Sequence, residues 1–154
     1  MLRKLGKIRV FGQDVDSDDK VPPGQFVTEK FPVLTFGATP TIDIDEWHFK
    51  IFGRVREEKI LDWGQFMDLP SSKIEAPFHC VTQWSKLENS WEGVSFEEIH
   101  KLTAQMPETT HVMIHCYGGY STNLSLDMLM YDEILFAYRH DGNILTREHG
   151  YPLR

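Results

Sequence analysis

Cysteine is scarce in this 154-residue sequence: Cys80 and Cys116 are the whole complement. Two are too few for a disulfide scaffold, and their spacing excludes a Cys-x-x-Cys redox or zinc pair. Long apolar runs are missing too. Even the basic start, with Arg3, Lys4, Lys7 and Arg9, is not followed by a stretch that serves as a signal core or a membrane span, which predicts a cytoplasmic protein. Nor does positive charge cluster anywhere. At a net charge of -7, with Lys and Arg scattered among acidic residues, the electrostatic footprint of a nucleic-acid binder is absent. No stretch has the sustained polar bias of disorder, and no solenoid-type repeat appears. The length suits one domain over 1–154, with 1–20 expected to be a flexible, solvated N-terminal segment.

What is present reads as short strands interleaved with short helices. Residues 21–40, VPPGQFVTEKFPVLTFGATP, are rich in proline and glycine and have no helical period, so they predict extended chain wrapping a surface. Trp47, Phe49 and Ile51 alternate with His48 and Lys50, which predicts a half-buried strand over 47–53, with 59–61 as its partner. Asp62, with Gln65 three residues on, predicts a capping box for a short helix that Pro70 ends, Phe66 and Leu69 facing the core. A second strand is expected over 74–80. Ser95 and Glu98 predict a reciprocally capped helix carrying Phe96, Ile99 and Leu102 at helical spacing. Residues 111–117 predict a central strand, Ser125 the cap of a brief helix through Met130, 133–138 another strand, and Asp141-Gly142 a turn. The pattern indicates an α+β domain, mixed and rich in β-structure. One local echo, His79-Cys80 with Trp84-Ser85 and His115-Cys116 with Tyr120-Ser121, matches too few positions to show duplication.

Cys80 ends a predicted strand in PFHCVTQWS, ahead of a polar loop, where a side chain can leave the core and meet a ligand. On the residues alone it is either a small buried hydrophobe or a thiolate held by a positive or metallic neighbour, His79 and Lys86 being the local candidates. A zinc site from His79, Cys80, His115 and Cys116 has suitable atoms, but adjacent residues of a strand point to opposite faces. A hydrolase pairing Cys80 with a distant histidine is a further option. His149 and Arg154, in HGYPLR, offer an imidazole and a guanidinium suited to a phosphate, against the plainer alternative of an exposed turn. Tyr117 and Tyr120 read as loop-packing residues or as phenols at a site, and Trp91-Glu92-Gly93-Val94 as a turn leading into a helix.

In sequence order, PPGQ, FPVLTFGATP, WHFKIFGRV, HCVTQWSKLENSWEGV, GGYSTNLSL, ILFAYRHDGNIL and EHGYPLR resemble the sulfite oxidase family of molybdopterin-binding oxidoreductases, over roughly 22–154. The resemblance implies that family's fold and a molybdenum-molybdopterin cofactor, with Cys80 as the protein ligand of the metal; a soft thiolate suits it. Tyr120 falls where sulfite oxidases carry an active-site tyrosine, and His149 and Arg154 where the family holds the cofactor's phosphate tail. Leu34 and Thr35 are implied to lie against the pterin through their backbones, and His115 and Cys116 to line the same pocket.

The implied activity is oxygen-atom transfer to or from a small sulfur- or nitrogen-centred substrate. No haem-attachment motif or flavin fingerprint is present, so the expected electron route is a separate transfer partner. Cys-Val-x-x-Trp-Ser replaces the Gly-Asn-Arg-Arg continuation of sulfite oxidases proper and is similar to the bacterial branch that includes the methionine sulfoxide reductase catalytic subunit, which points away from sulfite. After PLR the family continues into a further strand and a Lys/Trp-bearing segment. The domain is therefore expected to be C-terminally incomplete, and a cofactor-free binding or structural remnant of the same fold is the alternative function.

Overall fold

The computed structural model describes residues 8–10, 13–15, 21–35 and 37–154. Its elements begin with β1 (Ile8–Val10), β2 (Gln13–Val15), β3 (Phe26–Val27), β4 (His48–Ile51), β5 (Lys59–Asp62), α1 (Trp63–Met67), β6 (Ser71–Glu75), β7 (Phe78–Cys80) and β8 (Trp84–Lys86). They continue with β9 (Ser90–Ser95), α2 (Phe96–Lys101), β10 (His111–His115), β11 (Ser121–Ser125), α3 (Leu126–Leu129), β12 (Leu135–His140) and β13 (Asn143–Ile144). Within the segment 1–20, expected to be flexible, β1 and β2 pair antiparallel. The rest of that segment lies outside the described residues.

The α+β reading holds, and the sheets are small and separate. An antiparallel sheet of order β13-β12-β9-β6 is the largest; a second runs β3-β8-β7, and β4–β5 and β10–β11 are two-stranded. The expected pairing of 47–53 with 59–61 is β4 on β5, with Phe49 opposite Leu61. The Asp62 capping box is present in both directions, and it seats Phe66 with no exposed surface. At α2 the cap is one-sided: Ser95 Oγ accepts from the Glu98 N–H, while the Glu98 carboxylate turns to Lys101 at 2.8 Å. Ser125 precedes α3, but its side chain makes no cap hydrogen bond.

The single strand expected over 74–80 is two. Pro77 has no N–H to give to a ladder, so β6 ends before it and pairs with β9, while β7 pairs with β8. The segment read as a turn into a helix, 91–94, is the middle of β9. It lies between β12 and β6 with both faces covered, which removes the alternation that marks a half-buried strand. A register shift between Ala137 and Arg139 bulges β12, so that Ala137 and Tyr138 are both buried. Tyr138 joins Trp47, Phe66, Val94 and Ile99, whereas Ala137 joins Trp91 and Leu145. The core thus occupies both faces of the sheet, and β7 packs on the Trp91 side through Phe78.

The strand expected over 111–117 ends at His115. It is half of a hairpin with β11, not a central strand, and His111, Met113 and His115 keep one face open to solvent. The sequence echo has a structural counterpart. His79 pairs with Ser85 across β7–β8 as His115 pairs with Ser121 across β10–β11, so the repeated residues mark two hairpins of equal register.

Candidate active site

The site is built on the β7–β8 hairpin. Its loop, Val81 to Gln83, closes with the Gln83 N–H donating to the Cys80 carbonyl at 3.0 Å and with Gln83 in the left-handed region at φ 70°. Cys80 is the last residue of β7, so the strand fixes its backbone and the loop surrounds its thiol. Thr82 Oγ1 donates to Cys80 Sγ at 3.2 Å. That hydroxyl is the main reason the Cys80 thiol lies below its ordinary pKa; the Thr82 and Val81 N–H groups and the Arg154 charge act the same way, against a small desolvation effect. Burial pushes the Cys116 thiol the other way, although that residue is exposed overall.

In cofactor-free protein, Cys80 is therefore expected to alkylate with a pH midpoint below that of an ordinary thiol, and Cys116 with one above it. Thr82→Val should move the Cys80 midpoint upward. Iodoacetamide labelling rates across pH check this, and an unchanged midpoint in Thr82→Val would contradict the assignment of the hydroxyl.

Facing Cys80 across a pocket of about 110 Å³ is Arg154. Its backbone exchanges hydrogen bonds with Ala137 at 2.7 and 2.8 Å, which fastens it beside β12. Its guanidinium rests on aromatic rings, 5.2 Å from Phe31, 5.1 Å from Phe78 and 6.0 Å from Trp91, and Nη1 donates to the His149 carbonyl at 3.3 Å. Gly150, at φ 102°, lets the chain fold back so closely that an added Cβ would lie 3.2 Å from the Arg154 Cβ. Burial pulls the guanidinium below its ordinary pKa, and Cys80 opposes that shift. Phe31 is the hub of the wall: it stacks on His149 at 4.2 Å and contacts Phe78, Trp84 and His140.

The residues expected at the site separate into two groups. Leu34, Cys80, His149 and Arg154 line the pocket, and exposed Thr35 follows Leu34 without lining it. His115, Cys116 and Tyr120 sit on the β10–β11 hairpin and none of them lines it. The His115 ring stacks on Phe52 at 5.8 Å, and the Cys116 N–H donates to the Tyr120 carbonyl at 2.8 Å. Both His149 ring nitrogens are engaged within the chain, Nε2 with the Phe31 carbonyl and Nδ1 with Thr146 Oγ1, each at 3.0 Å. That histidine braces Phe31 and is not free to act as a base for the thiol, which weakens the hydrolase option. Thr82, Phe31 and Gln25 were missed. Thr82 was legible as a hydroxyl two residues from a reactive cysteine, whereas Phe31 and Gln25 reach the hairpin from remote sequence.

The zinc alternative fails on geometry. Among the described residues no group of three His, Cys, Asp or Glu side chains is placed to hold a metal ion, and the His79 ring is hydrogen-bonded to Ser85. A metal here needs ligands that come with an organic group. The residues fit such a group: one soft thiol whose pKa is lowered by surrounding donors, a guanidinium in the same pocket and an aromatic wall.

Fold and site together define a β-rich domain in which a cysteine thiol and a guanidinium line one aromatic-walled pocket. Residues 36–154 match the family model of the oxidoreductase molybdopterin-binding domain, and the chain belongs to that family, the sulfite oxidase type of molybdopterin-binding oxidoreductase. It is 38% identical over 147 residues to the uncharacterized oxidoreductase YuiH of Bacillus subtilis, covering 94% of this chain and 74% of that one. A nitrate reductase [NADH] of Brassica napus is 21% identical, with 79% of this chain and 17% of the plant protein covered. The sulfane dehydrogenase SoxCD from Paracoccus pantotrophus shares the fold at a TM-score of 0.71 and 16% identity; the match covers 79% of this chain and 36% of that chain. The protein is an oxidoreductase, and its cofactor is molybdenum-molybdopterin. No helix among the described residues is long and apolar enough to cross a membrane.

Proposed function

We propose that Cys80 is the protein ligand of molybdenum and that the enzyme transfers an oxygen atom to or from a small sulfur- or nitrogen-centred substrate. The observation that carries the reading is the Cys80 thiol itself, lowered in pKa by its own loop and opening into one pocket with Arg154. When bound, the cofactor supplies the redox centre and the oxygen donor or acceptor. The chain's residues hold and orient. The hairpin lowers the pKa of the Cys80 thiol, the wall of Phe31, Phe78 and Trp84 limits water, and Arg154 offers a planar fork to an oxygen near the metal ligand. Nitrate reductase and sulfane dehydrogenase, in the names of the relatives, support the nitrogen- and sulfur-centred classes. Electrons pass to or from a separate partner in the cytoplasm, and Tyr120 supplies a hydrogen bond from the β10–β11 hairpin.

The resemblance gives Arg154 to the cofactor's phosphate tail. Sharing a pocket with Cys80 favours the metal end instead. Arg154→Ala is then expected to raise KM for nitrate or an organic sulfoxide, with reduced viologen as donor, by roughly one to two orders of magnitude, the worth of one charge-assisted hydrogen bond. Arg154→Lys should recover only part, since an ammonium lacks the fork. Molybdenum and pterin contents after gel filtration should stay at the wild-type level. Loss of both in Arg154→Ala would return Arg154 to the phosphate, and no change in any quantity would remove it from the site.

A further inference from the structure

Ser85 is buried completely, and a buried hydroxyl must be satisfied within the protein. Its Oγ donates to Gln25 Oε1 and lies 2.8 Å from His79 Nδ1. Because the single hydroxyl proton is used on Gln25, the His79 contact requires Nδ1 to be the donor, an assignment that follows from the bonding pattern. The Gln25 amide is oriented by the same logic, and its Nε2 donates to the Cys80 carbonyl at 3.3 Å. The result is one directed chain, His79 to Ser85 to Gln25 to Cys80, in which each bond polarises the next.

The segment carrying Gln25 also grips the hairpin through its backbone. The Phe26 N–H donates to the Gln83 carbonyl at 3.0 Å and the Thr28 N–H to the Ser85 carbonyl at 2.9 Å, so β3 lies parallel to β8. The Cys80 carbonyl therefore carries two donors, Gln83 N–H from within the loop and Gln25 Nε2 from outside it. The first closes the turn. The second comes from residues ahead of the segment 36–154 that matches the family model.

We infer that Gln25 is a positioning residue for the Cys80 thiol, locking the carbonyl of the metal-ligating cysteine so that the loop donors of Val81 and Thr82 stay aimed at its sulfur. The inference rests on the assignment of Cys80 as ligand. Residues that orient a metal ligand from behind typically contribute about 10- to 100-fold to metal affinity or activity. Asparagine in place of Gln25 is one methylene too short to span Ser85 and Cys80. Glutamate keeps the length but sets a carboxylate oxygen against the Cys80 carbonyl.

The test uses the full chain in two forms. In cofactor-free protein, Gln25→Ala and Gln25→Glu are expected to move the pH midpoint of Cys80 alkylation toward that of an ordinary thiol. In holoenzyme they should lower kcat by about 10-fold and shift the thiolate-to-metal absorption band with KM little changed. Asp62→Ala serves as the control; it removes a helix cap remote from the hairpin, costs about 1 kcal/mol of stability and should move neither the midpoint nor the band. An unchanged midpoint and band in both Gln25 variants, or an equal shift in Asp62→Ala, would overturn the inference. If the midpoint moves as expected while wild-type protein binds no molybdenum, the positioning of the thiol stands and the proposed function falls; if Cys80→Ser abolishes the band while neither Gln25 variant moves the midpoint or the band, the proposed function stands and Gln25 is structural.

Discussion

Cys80→Ser is expected to lower turnover by more than about 100-fold and to remove the thiolate-to-metal absorption band, while Cys116→Ser leaves both in place. Disturbing a residue behind a metal ligand already costs about 10- to 100-fold, so removing the ligand atom costs more. A serine hydroxyl is a harder ligand and does not ionise near neutrality, whereas the Cys80 thiol is held below its ordinary pKa by Thr82 and its loop. Stability should change by less than about 1 kcal/mol, because the half-buried sulfur contributes little packing. Cys116, whose thiol pKa is pushed up by burial, lines no part of the pocket. Absorption spectra and steady-state assays of the two variants decide the matter; equal losses would show that the thiols act only through folding.

The second large effect lies in the scaffold. Gly93 stands in the middle of β9, opposite Ala137 of β12 and Ser72 of β6. A Cβ built on it would lie 2.0 Å from the Phe136 carbonyl oxygen and 2.7 Å from the Ala137 Cα, both backbone atoms that no rotamer change can move. Gly93→Ala is thus expected to destabilise the fold by about 3 kcal/mol or more, the upper end for overpacking, out of the roughly 5–15 kcal/mol that holds a domain together. Because Ala137 also anchors the Arg154 backbone, the damage should reach the site, and what folds should hold less cofactor. Chemical denaturation followed by circular dichroism gives the number. A loss below about 0.5 kcal/mol would contradict the close approach of β9 and β12.

Parts of this molecule are legible in its sequence because their cause is local. The Asp62–Gln65 capping box, the alternation of Trp47, Phe49 and Ile51, and the Asp141-Gly142 turn each depend on neighbours a few residues away, and each is present in the structure. β9 was missed because a strand covered on both faces loses its alternation and Gly93 reads as a turn residue. The run 74–80 was misread because its apolar residues continue across Pro77 into a different sheet. At the site, Cys80 and Arg154 were found as chemical types, but not their meeting. That depends on the bulge at Tyr138 and on Arg154 folding back beside Ala137, neither of which leaves a local signal. His149 lines the pocket, and its ring nitrogens bond the Phe31 carbonyl and Thr146 Oγ1; the Phe31 contact joins residues more than a hundred positions apart and leaves no local signal.

The central claim is that the Cys80 sulfur is bound to molybdenum. Molybdenum K-edge X-ray absorption of holoenzyme, wild type against Cys80→Ser, tests it at the atom concerned. Cys80→Ser is expected to lose about one sulfur neighbour per metal while Cys116→Ser loses none, a soft sulfur ligand having been exchanged for oxygen. An unchanged sulfur count in Cys80→Ser, or a loss confined to Cys116→Ser, would contradict it.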